Sequence, residues 1–121
     1  MQPSQPTEKE LLKTILEPLL EDFQYWFSRS RSLLESEEIS FLSAREQAEL
    51  LKRVKQTQRE VSTAQILFKA TNGQAGVETK ILLPWHQLVS ECWQVSMRWR
   101  SLKKEIFADF EESSQSFDLQ G

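Results

Sequence analysis

The chain has 121 residues and a mass of 14.2 kDa, which is the size of a single domain. Its hydrophobic fraction of 39%, charged fraction of 27% and net charge of −3 exclude a fully disordered chain and argue against a basic nucleic-acid-binding domain. With only three glycines, the chain lacks the turn residues that a β-sandwich or a Rossmann-type fold needs. The composition therefore predicts a small all-α protein, but it does not reveal a reaction.

An amphipathic pattern predicts the first helix, from residue 8 to residue 34. Its apolar stripe repeats every four and three residues and consists of Leu12, Leu16, Leu19, Phe23, Trp26, Ser30 and Leu33, flanked by Leu20, Phe27 and Leu34. Thr7 and Glu10 form a capping-box pattern at its start, and residues 1–7 are expected to be a disordered polar tail. Pro18 lies inside the stripe without shifting its phase, so we expect a kink rather than a break.

A second helix is predicted over residues 44–71. Ser43 and Glu46 form another capping-box pattern at its start. Its stripe is narrower and more polar than the first, with Leu51, Val54, Gln58, Val61, Gln65 and Phe68. Asn72 and Gly73 then supply the left-handed residue on which helices commonly end.

The third helix is predicted over residues 84–108, with Pro84 at its first position. Its core row is the clearest heptad of the chain and consists of Trp85, Leu88, Cys92, Val95, Trp99, Leu102 and Ile106. The preceding segment, residues 77–83, fits a loop, a short helix or the first turns of this helix, because proline disfavours a helical residue before it. Residues 109–121 hold four acidic and no basic side chains, and we expect a flexible acidic tail there.

Short connections between these helices make sequential neighbours antiparallel. We therefore expect an up-down-up antiparallel three-helix bundle with frayed polar termini, in which residues 8–108 form a single domain. An elongated helical hairpin with a docked third helix is the nearby alternative.

The sequence contains no arrangement typical of catalysis, of a metal site or of a cofactor site. His86 is the only histidine and Cys92 the only cysteine, and neither has a partner for acid–base or nucleophilic chemistry at helical spacing. We expect His86 to be structural or on the surface, and Cys92 to be a buried, inert thiol with a raised pKa. An enzyme or a pigment-binding protein would need one of them to converge with other groups in a pocket.

The chain has four tryptophans, which is a high number for its length. Three of them lie on core rows and are predicted to be buried: Trp26, Trp85 and Trp99. Trp93 lies beside the heptad face, in a row with Val89 and Met97, and this row is either internal or an exposed anchor for a partner. The predicted partner-binding residues are Pro84, Trp85, His86, Val89, Trp93 and Met97.

Basic side chains form two rows, one on the second helix and one near the end of the third. The rows consist of Lys52, Lys55 and Arg59, and of Arg100, Lys103 and Lys104. They are either candidates to contact an anionic surface or a solvated face that is paired in part with neighbouring acids.

Three strings of residues resemble a cyanobacterial family of small helical proteins catalogued as a domain of unknown function. These strings are LEPLLEDFQYWF at residues 16–27, FKATNGQAG at residues 68–76 and PWHQLVSECW at residues 84–93. The similarity covers roughly residues 8–104. The resemblance implies a cyanobacterial cytosol and a link to photosynthetic or thylakoid-associated biology, but it supplies no activity, cofactor or catalytic residue.

These patterns together lead us to expect a non-enzymatic adaptor, or an assembly or regulatory factor, that binds another protein or a second copy of itself. The alternative is a peripheral membrane or anionic-surface binder that uses the basic rows. No apolar stretch approaches the length that spans a bilayer, and residues 1–10 lack an apolar signal-peptide core. We therefore expect a cytoplasmic protein, with peripheral contact to the cytosolic face of thylakoids as the finer expectation.

Overall fold

The computed structural model describes residues 8–73 and 79–120, and within these residues the chain is helical and contains no strand. Helix α1 runs over Glu8–Ser36, helix α2 over Ala44–Ala70 and helix α3 over Thr79–Gln120. The three predicted helices are confirmed. The predicted Thr7 cap and the tail before it lie outside the described residues.

Helix α1 is continuous through Pro18, so the predicted absence of a break is confirmed. Its buried residues are Leu16, Leu20, Phe23, Phe27, Ser30 and Leu34. The core stripe of α1 is therefore centred on Leu20, Phe27 and Leu34, which the sequence analysis placed at the edge of the stripe. Trp26 lies one residue before the fully buried Phe27, which rotates it about 100° away from that side chain and towards solvent.

The connection between α1 and α2 is held by hydrogen bonds from the first turns of α2. The predicted capping box is confirmed: the Ser43 N–H donates to Glu46 Oε1 at 3.1 Å, and the Glu46 N–H donates to Ser43 Oγ at 3.0 Å. Gln47 Nε2 donates to the main-chain oxygens of Leu34 and Glu37, at 2.9 and 2.7 Å. These bonds turn the chain back on itself and make α2 antiparallel to α1.

Helix α2 ends in the predicted left-handed turn. Asn72 and Gly73 have φ angles of 55° and 81°, and the Gly73 N–H donates to the main-chain oxygen of Phe68 at 2.7 Å. Lys13 of α1 crosses this turn, with its Nζ donating to Asn72 Oδ1 at 2.9 Å. The turn favours glycine for its φ angle, and a Cβ on Gly73 would also displace the Lys13 side chain, whose Cδ would lie 2.6 Å away.

Helix α3 begins at Thr79, so the predicted start at Pro84 is wrong. Within residues 77–83, as far as they are described, the chain adopts the first turns of α3. Pro84 is the sixth helical residue, and its ring removes the hydrogen bond that would reach the main-chain oxygen of Lys80. Leu82, one turn into the helix, packs against the core and favours the helical path despite that loss.

The end of α3 also differs from the prediction, because the helix continues to Gln120 instead of ending near residue 108. The physical reason is the absence of glycine and proline between Pro84 and Gly121, so no residue stops the helix. The flexible character of residues 109–121 stays a prediction, as does the boundary of the domain at residue 108.

The predicted up-down-up bundle is confirmed, with α1 packed against both other helices. Early in α3, Trp85 contacts Phe23, and later Lys103 reaches Glu37, so α3 runs parallel to α1. The core draws on all three helices and on Ile39 in the connection; α2 and α3 supply Leu50, Val54, Val61, Phe68, Trp85, Leu88 and Cys92.

Candidate functional site

A concave surface lies where α1 and α3 run side by side, and we call it the α1/α3 groove. It encloses about 250 Å³. Its apolar lining comes from both helices: Trp26, Leu33, Val89, Trp93, Met97 and Trp99. Its polar lining consists of two serines and two arginines: Ser30, Ser96, Arg29 and Arg100.

Trp93 is the most exposed tryptophan of the groove. Its side chain is 53% exposed and that of Met97 is 42% exposed, whereas Val89 is half-buried and packs against the core. Trp93 and Met97 are therefore exposed and Val89 is not, and the role of this row in binding a partner stays a prediction. Since a helix of the bundle packs on two sides only, Trp93 points past the edge of the packed stripe and meets no third helix.

On the α1 side of the groove, Trp26 belongs to an exposed aromatic pair that the sequence analysis missed. Trp26 was predicted to be buried, but it is 42% exposed, so this prediction is wrong. Its ring meets the neighbouring Tyr25 ring edge-on, with centroids 5.3 Å apart. Arg29 lies over the Tyr25 ring at 5.6 Å and donates to the Tyr25 hydroxyl at 2.8 Å. Adjacent residues such as Tyr25 and Trp26 cannot both lie on the core row, but this rule alone does not show that both are exposed.

Trp85 belongs to the core and not to a contact surface. It is 3% exposed, its ring meets Phe23 edge-on at 5.6 Å, and its Nε1–H donates to Glu60 Oε2 at 3.0 Å. Its predicted burial is confirmed, and its ring does not line the α1/α3 groove. Pro84 and His86, which were also predicted to bind a partner, are exposed but do not line this groove either.

Trp99 lies at the inner wall of the groove. Its ring is half-buried against the core, and Lys103 Nζ lies 5.3 Å from the ring centroid. The Trp99 Nε1–H is buried and has no acceptor within the part of the chain that the structure describes. A buried donor without an acceptor costs about 1–3 kcal/mol, so the position favours a rearrangement of the Trp99 ring that brings its N–H to an oxygen atom.

The predicted basic rows are paired in part. Lys55 Nζ lies 3.5 Å from Glu35 Oε1, and Lys103 Nζ lies 3.0 Å from Glu37 Oε1. A hydrogen bond from Arg31, with a smaller contribution from Lys55, lowers the pKa of Glu35. The other members of the two rows are exposed: Lys52, Arg59, Arg100 and Lys104. The structure therefore brings Arg100 into the α1/α3 groove and leaves the α2 row on a separate face.

Cys92 is buried in the core, as its heptad position predicts. Burial raises the pKa of the Cys92 thiol, outweighing the opposite effect of a hydrogen bond with Ser30. Arg53 also acts in the opposite direction, but its guanidinium is held by Glu91 in two parallel contacts of 2.9 Å. Neither Cys92 nor His86 lines the α1/α3 groove. No three residues among the described His, Cys, Asp and Glu side chains are grouped closely enough to hold a metal ion.

The fold and the groove define an all-helical bundle with an exposed aromatic surface between two parallel helices. A family model described as a protein of unknown function (DUF2605) matches residues 6–101, and the chain belongs to this family. Searches of the curated proteins and of the solved structures find no match. Over the described residues, no helix combines the length and the apolarity needed to cross a bilayer.

Proposed function

We propose that the protein is a non-enzymatic helical adaptor that binds another protein through the α1/α3 groove. The observation that carries this proposal is the exposure of Trp26, Trp93 and Met97 around one concave surface. Tryptophan, methionine and arginine are the side chains enriched in the buried centres of protein interfaces, and the groove contains all three types.

The energetics of these side chains support a partner. A large aromatic side chain buries roughly 150–250 Å² when it is covered, so a half-exposed tryptophan leaves about 100 Å² in contact with water. At about 25 cal/mol per Å², covering one such indole contributes roughly 2–3 kcal/mol to binding. Trp26 and Trp93 line the same groove, so a single occupant would gain this contribution from both.

The cellular setting forms the second part of the proposal. The resemblance of residues 16–27, 68–76 and 84–93 to a cyanobacterial family supports a role in the cytoplasm of a cyanobacterium. The same resemblance supports a link to photosynthetic or thylakoid-associated biology, with the partner at the cytosolic face of that membrane.

Affinity purification of the tagged full chain from cyanobacterial cells tests the adaptor function. The comparison uses the native chain, Trp93→Glu and the matched control Ile66→Glu, which places the same charge on an exposed apolar residue of α2 that does not line the groove. We expect a stoichiometric protein with the native chain and with the control, and its loss with Trp93→Glu at unchanged helicity. Equal retention by all three chains, or no retained protein with any of them, contradicts the proposal.

The anionic-surface alternative is distinguished by co-sedimentation with vesicles containing an anionic lipid. Under the adaptor proposal, we expect that little of either the native chain or the Lys52→Glu/Arg59→Glu variant sediments with the vesicles at physiological salt. Salt-sensitive pelleting of the native chain that this double variant loses would instead favour the basic row of α2 as a membrane-binding face.

A further inference from the structure

Basic side chains outnumber acidic ones around the α1/α3 groove, and two of these bases, Arg31 and Lys103, are paired with Glu35 and Glu37. Residues 23–34 of α1 and residues 92–104 of α3 contain six basic side chains and no acidic one. Two of these bases, Arg29 and Arg100, line the groove itself, and the described contacts of Arg29 are with Tyr25. An occupant of the groove therefore has to present aromatic or aliphatic side chains together with carboxylates.

Helix α3 extends beyond the other two helices at the end where this groove opens. Lys103 is level with Glu37, which follows the last residue of α1, and α3 continues in the same direction to Gln120. At 1.5 Å per residue, the segment after Lys103 projects about 25 Å past the end of α1. Neither α1 nor α2 accompanies this part of α3, so the described part of the chain offers it no neighbouring helix.

The projecting segment has the composition that the groove requires. In the sequence, Phe107, Phe110 and Phe117 are separated by three and seven residues, a spacing that an α-helix places on one face. The same segment contains four acidic residues and no basic residue from residue 109 onward: Asp109, Glu111, Glu112 and Asp118. Its aromatic residues and its charge are complementary to the apolar lining and the arginines of the groove.

We propose that two copies of the chain form an antiparallel dimer in which residues 107–119 of each copy occupy the α1/α3 groove of the other. The proposal rests on the groove assigned under the proposed function: a second copy covers the groove in the free protein, and another protein that binds there has to displace it. Within one copy, residues 107–119 cannot reach the groove, because α3 is one continuous helix that carries them away from it.

The helix lengths fit this arrangement. If the two α3 helices run antiparallel with the two-fold axis near Lys104, residues 93–97 of one copy are level with residues 111–115 of the other. The groove tryptophan Trp93 then lies between the levels of Phe110 and Phe117, and Arg100 lies near the level of Asp109. Because the interface is isologous, each of these contacts is made twice. Both grooves of the dimer are then filled, so no groove remains free for a further copy.

The second copy also brings hydrogen-bond acceptors close to Trp99, whose N–H is buried without one. This donor has no acceptor among the described residues and is closed off from solvent, so a carboxylate of the occupant reaches it only when the Trp99 ring turns towards the groove. A carboxylate is the type of acceptor that forms the stronger, charge-assisted hydrogen bonds.

A charge-swap experiment on the full chain tests the dimer, with the mass in solution measured by sedimentation or by light scattering. One variant reverses the groove, Arg29→Glu/Arg100→Glu, and the other reverses the segment, Asp109→Lys/Glu111→Lys/Glu112→Lys. We expect the native chain to have twice the chain mass of 14.2 kDa, and each variant alone to dissociate at least tenfold more readily.

Mixing the two variants in equal amounts is the decisive measurement. The reversed groove then meets a reversed segment, and the native groove of the other chain meets a native segment, so we expect the dimer to return. Lys52→Glu/Arg59→Glu is the matched control, because it reverses two exposed bases on α2 and should leave the dimer intact. Circular dichroism of each variant verifies that the helices are retained.

A native chain that stays monomeric up to about 200 μM overturns the proposal, as does a dimer that survives both reversals or a mixture that fails to restore it. These outcomes are separate from those of the adaptor test. A restored dimer with no other protein retained would remove the adaptor function and keep the dimer. A native chain that is monomeric but retains a partner through Trp93 would remove the dimer and keep the adaptor function.

Discussion

Trp85 and Trp93 lie two turns apart on α3, yet their surroundings are opposite. Trp85 is 3% exposed and has both an aromatic neighbour on α1 and a carboxylate acceptor on α2. Trp93 is 53% exposed and lines a groove whose other wall comes from α1 alone. The difference shows that the side of α3 on which a tryptophan lies decides whether it is core: the side that α1 and α2 cover is closed, and the side that α2 does not cover keeps an aromatic surface.

The two sides of α1 repeat this contrast. Towards α2, Gln24 Nε2 donates to the main-chain oxygen of Gln58 at 3.2 Å and to Ser62 Oγ at 2.7 Å. Side-chain hydrogen bonds therefore join α1 to α2 on this side. Towards α3, Trp26 presents a half-exposed ring to the groove. The closed side stabilises the fold, and the open side is the candidate for binding. Substitutions on the two sides should therefore have unequal effects on stability.

The largest difference is expected between neighbouring residues of α1. Phe27→Ala removes a fully buried ring and should lower the free energy of unfolding by about 3–5 kcal/mol, because it leaves a cavity among the core side chains. Trp26→Ala, one residue away, should cost less than about 1.5 kcal/mol, since its ring is already in contact with water. Urea denaturation followed by circular dichroism measures both values. Equal losses would show that the groove is part of the core.

A smaller effect is expected where α2 meets α3. Glu60→Leu removes the acceptor of the Trp85 indole and leaves its N–H buried without a partner, which should destabilise the fold by about 1–3 kcal/mol. Glu49→Leu is the matched control, because the described ion pair of Glu49 is an exposed one with Arg45. If both variants unfold at the same urea concentration, the hydrogen bond between Trp85 and Glu60 does not help to close the packing there.

The start of α2 offers a third test, because it sets the direction of the helix that closes the packed side. Ser43→Ala removes the capping side chain and should cost about 1 kcal/mol. The hydrogen bonds from Ser43 lower the pKa of Glu46, so the stabilisation from this carboxylate is present above the ordinary glutamate pKa of about 4.3.

This part of the stability is lost as the pH falls through the lowered pKa of Glu46 in the folded protein. The advantage of the native chain over Glu46→Gln, whose side chain cannot ionise, should therefore narrow between about pH 5 and pH 3 in thermal unfolding. A constant difference across that range would mean that the Glu46 half of the box contributes nothing.

The smallest effect is expected at the exposed ion pair between Arg53 and Glu91, which joins α2 to α3. The pair has two parallel contacts of 2.9 Å, but both side chains are about half exposed. A double-mutant cycle with Arg53→Ala and Glu91→Ala should give a coupling energy of about 0.2–1 kcal/mol that decreases with salt. A coupling well above that range would make this pair, rather than the apolar contacts, the main link between α2 and α3.

Local rules of the sequence predicted the secondary structure well. The capping box of Ser43, the left-handed turn at Asn72 and Gly73, and the continuity of α1 through Pro18 depend on residues close together in the chain. The limits of α3 were wrong for a related reason: a local preference of proline was given more weight than the packing of Leu82, and acidity was treated as if it ended a helix.

The sequence by itself determined three helices, their order and the burial of Trp85 and Cys92, because a strong heptad has one apolar face wherever it packs. Tertiary structure alone decided that Trp26 and Trp93 are exposed, because both lie at the edges of the packed faces of their helices. Periodicity gives the angle of a side chain around its own helix, but not which neighbouring helix lies at that angle. In this protein α2 covers one side of α1 and α3, and the other side remains the α1/α3 groove.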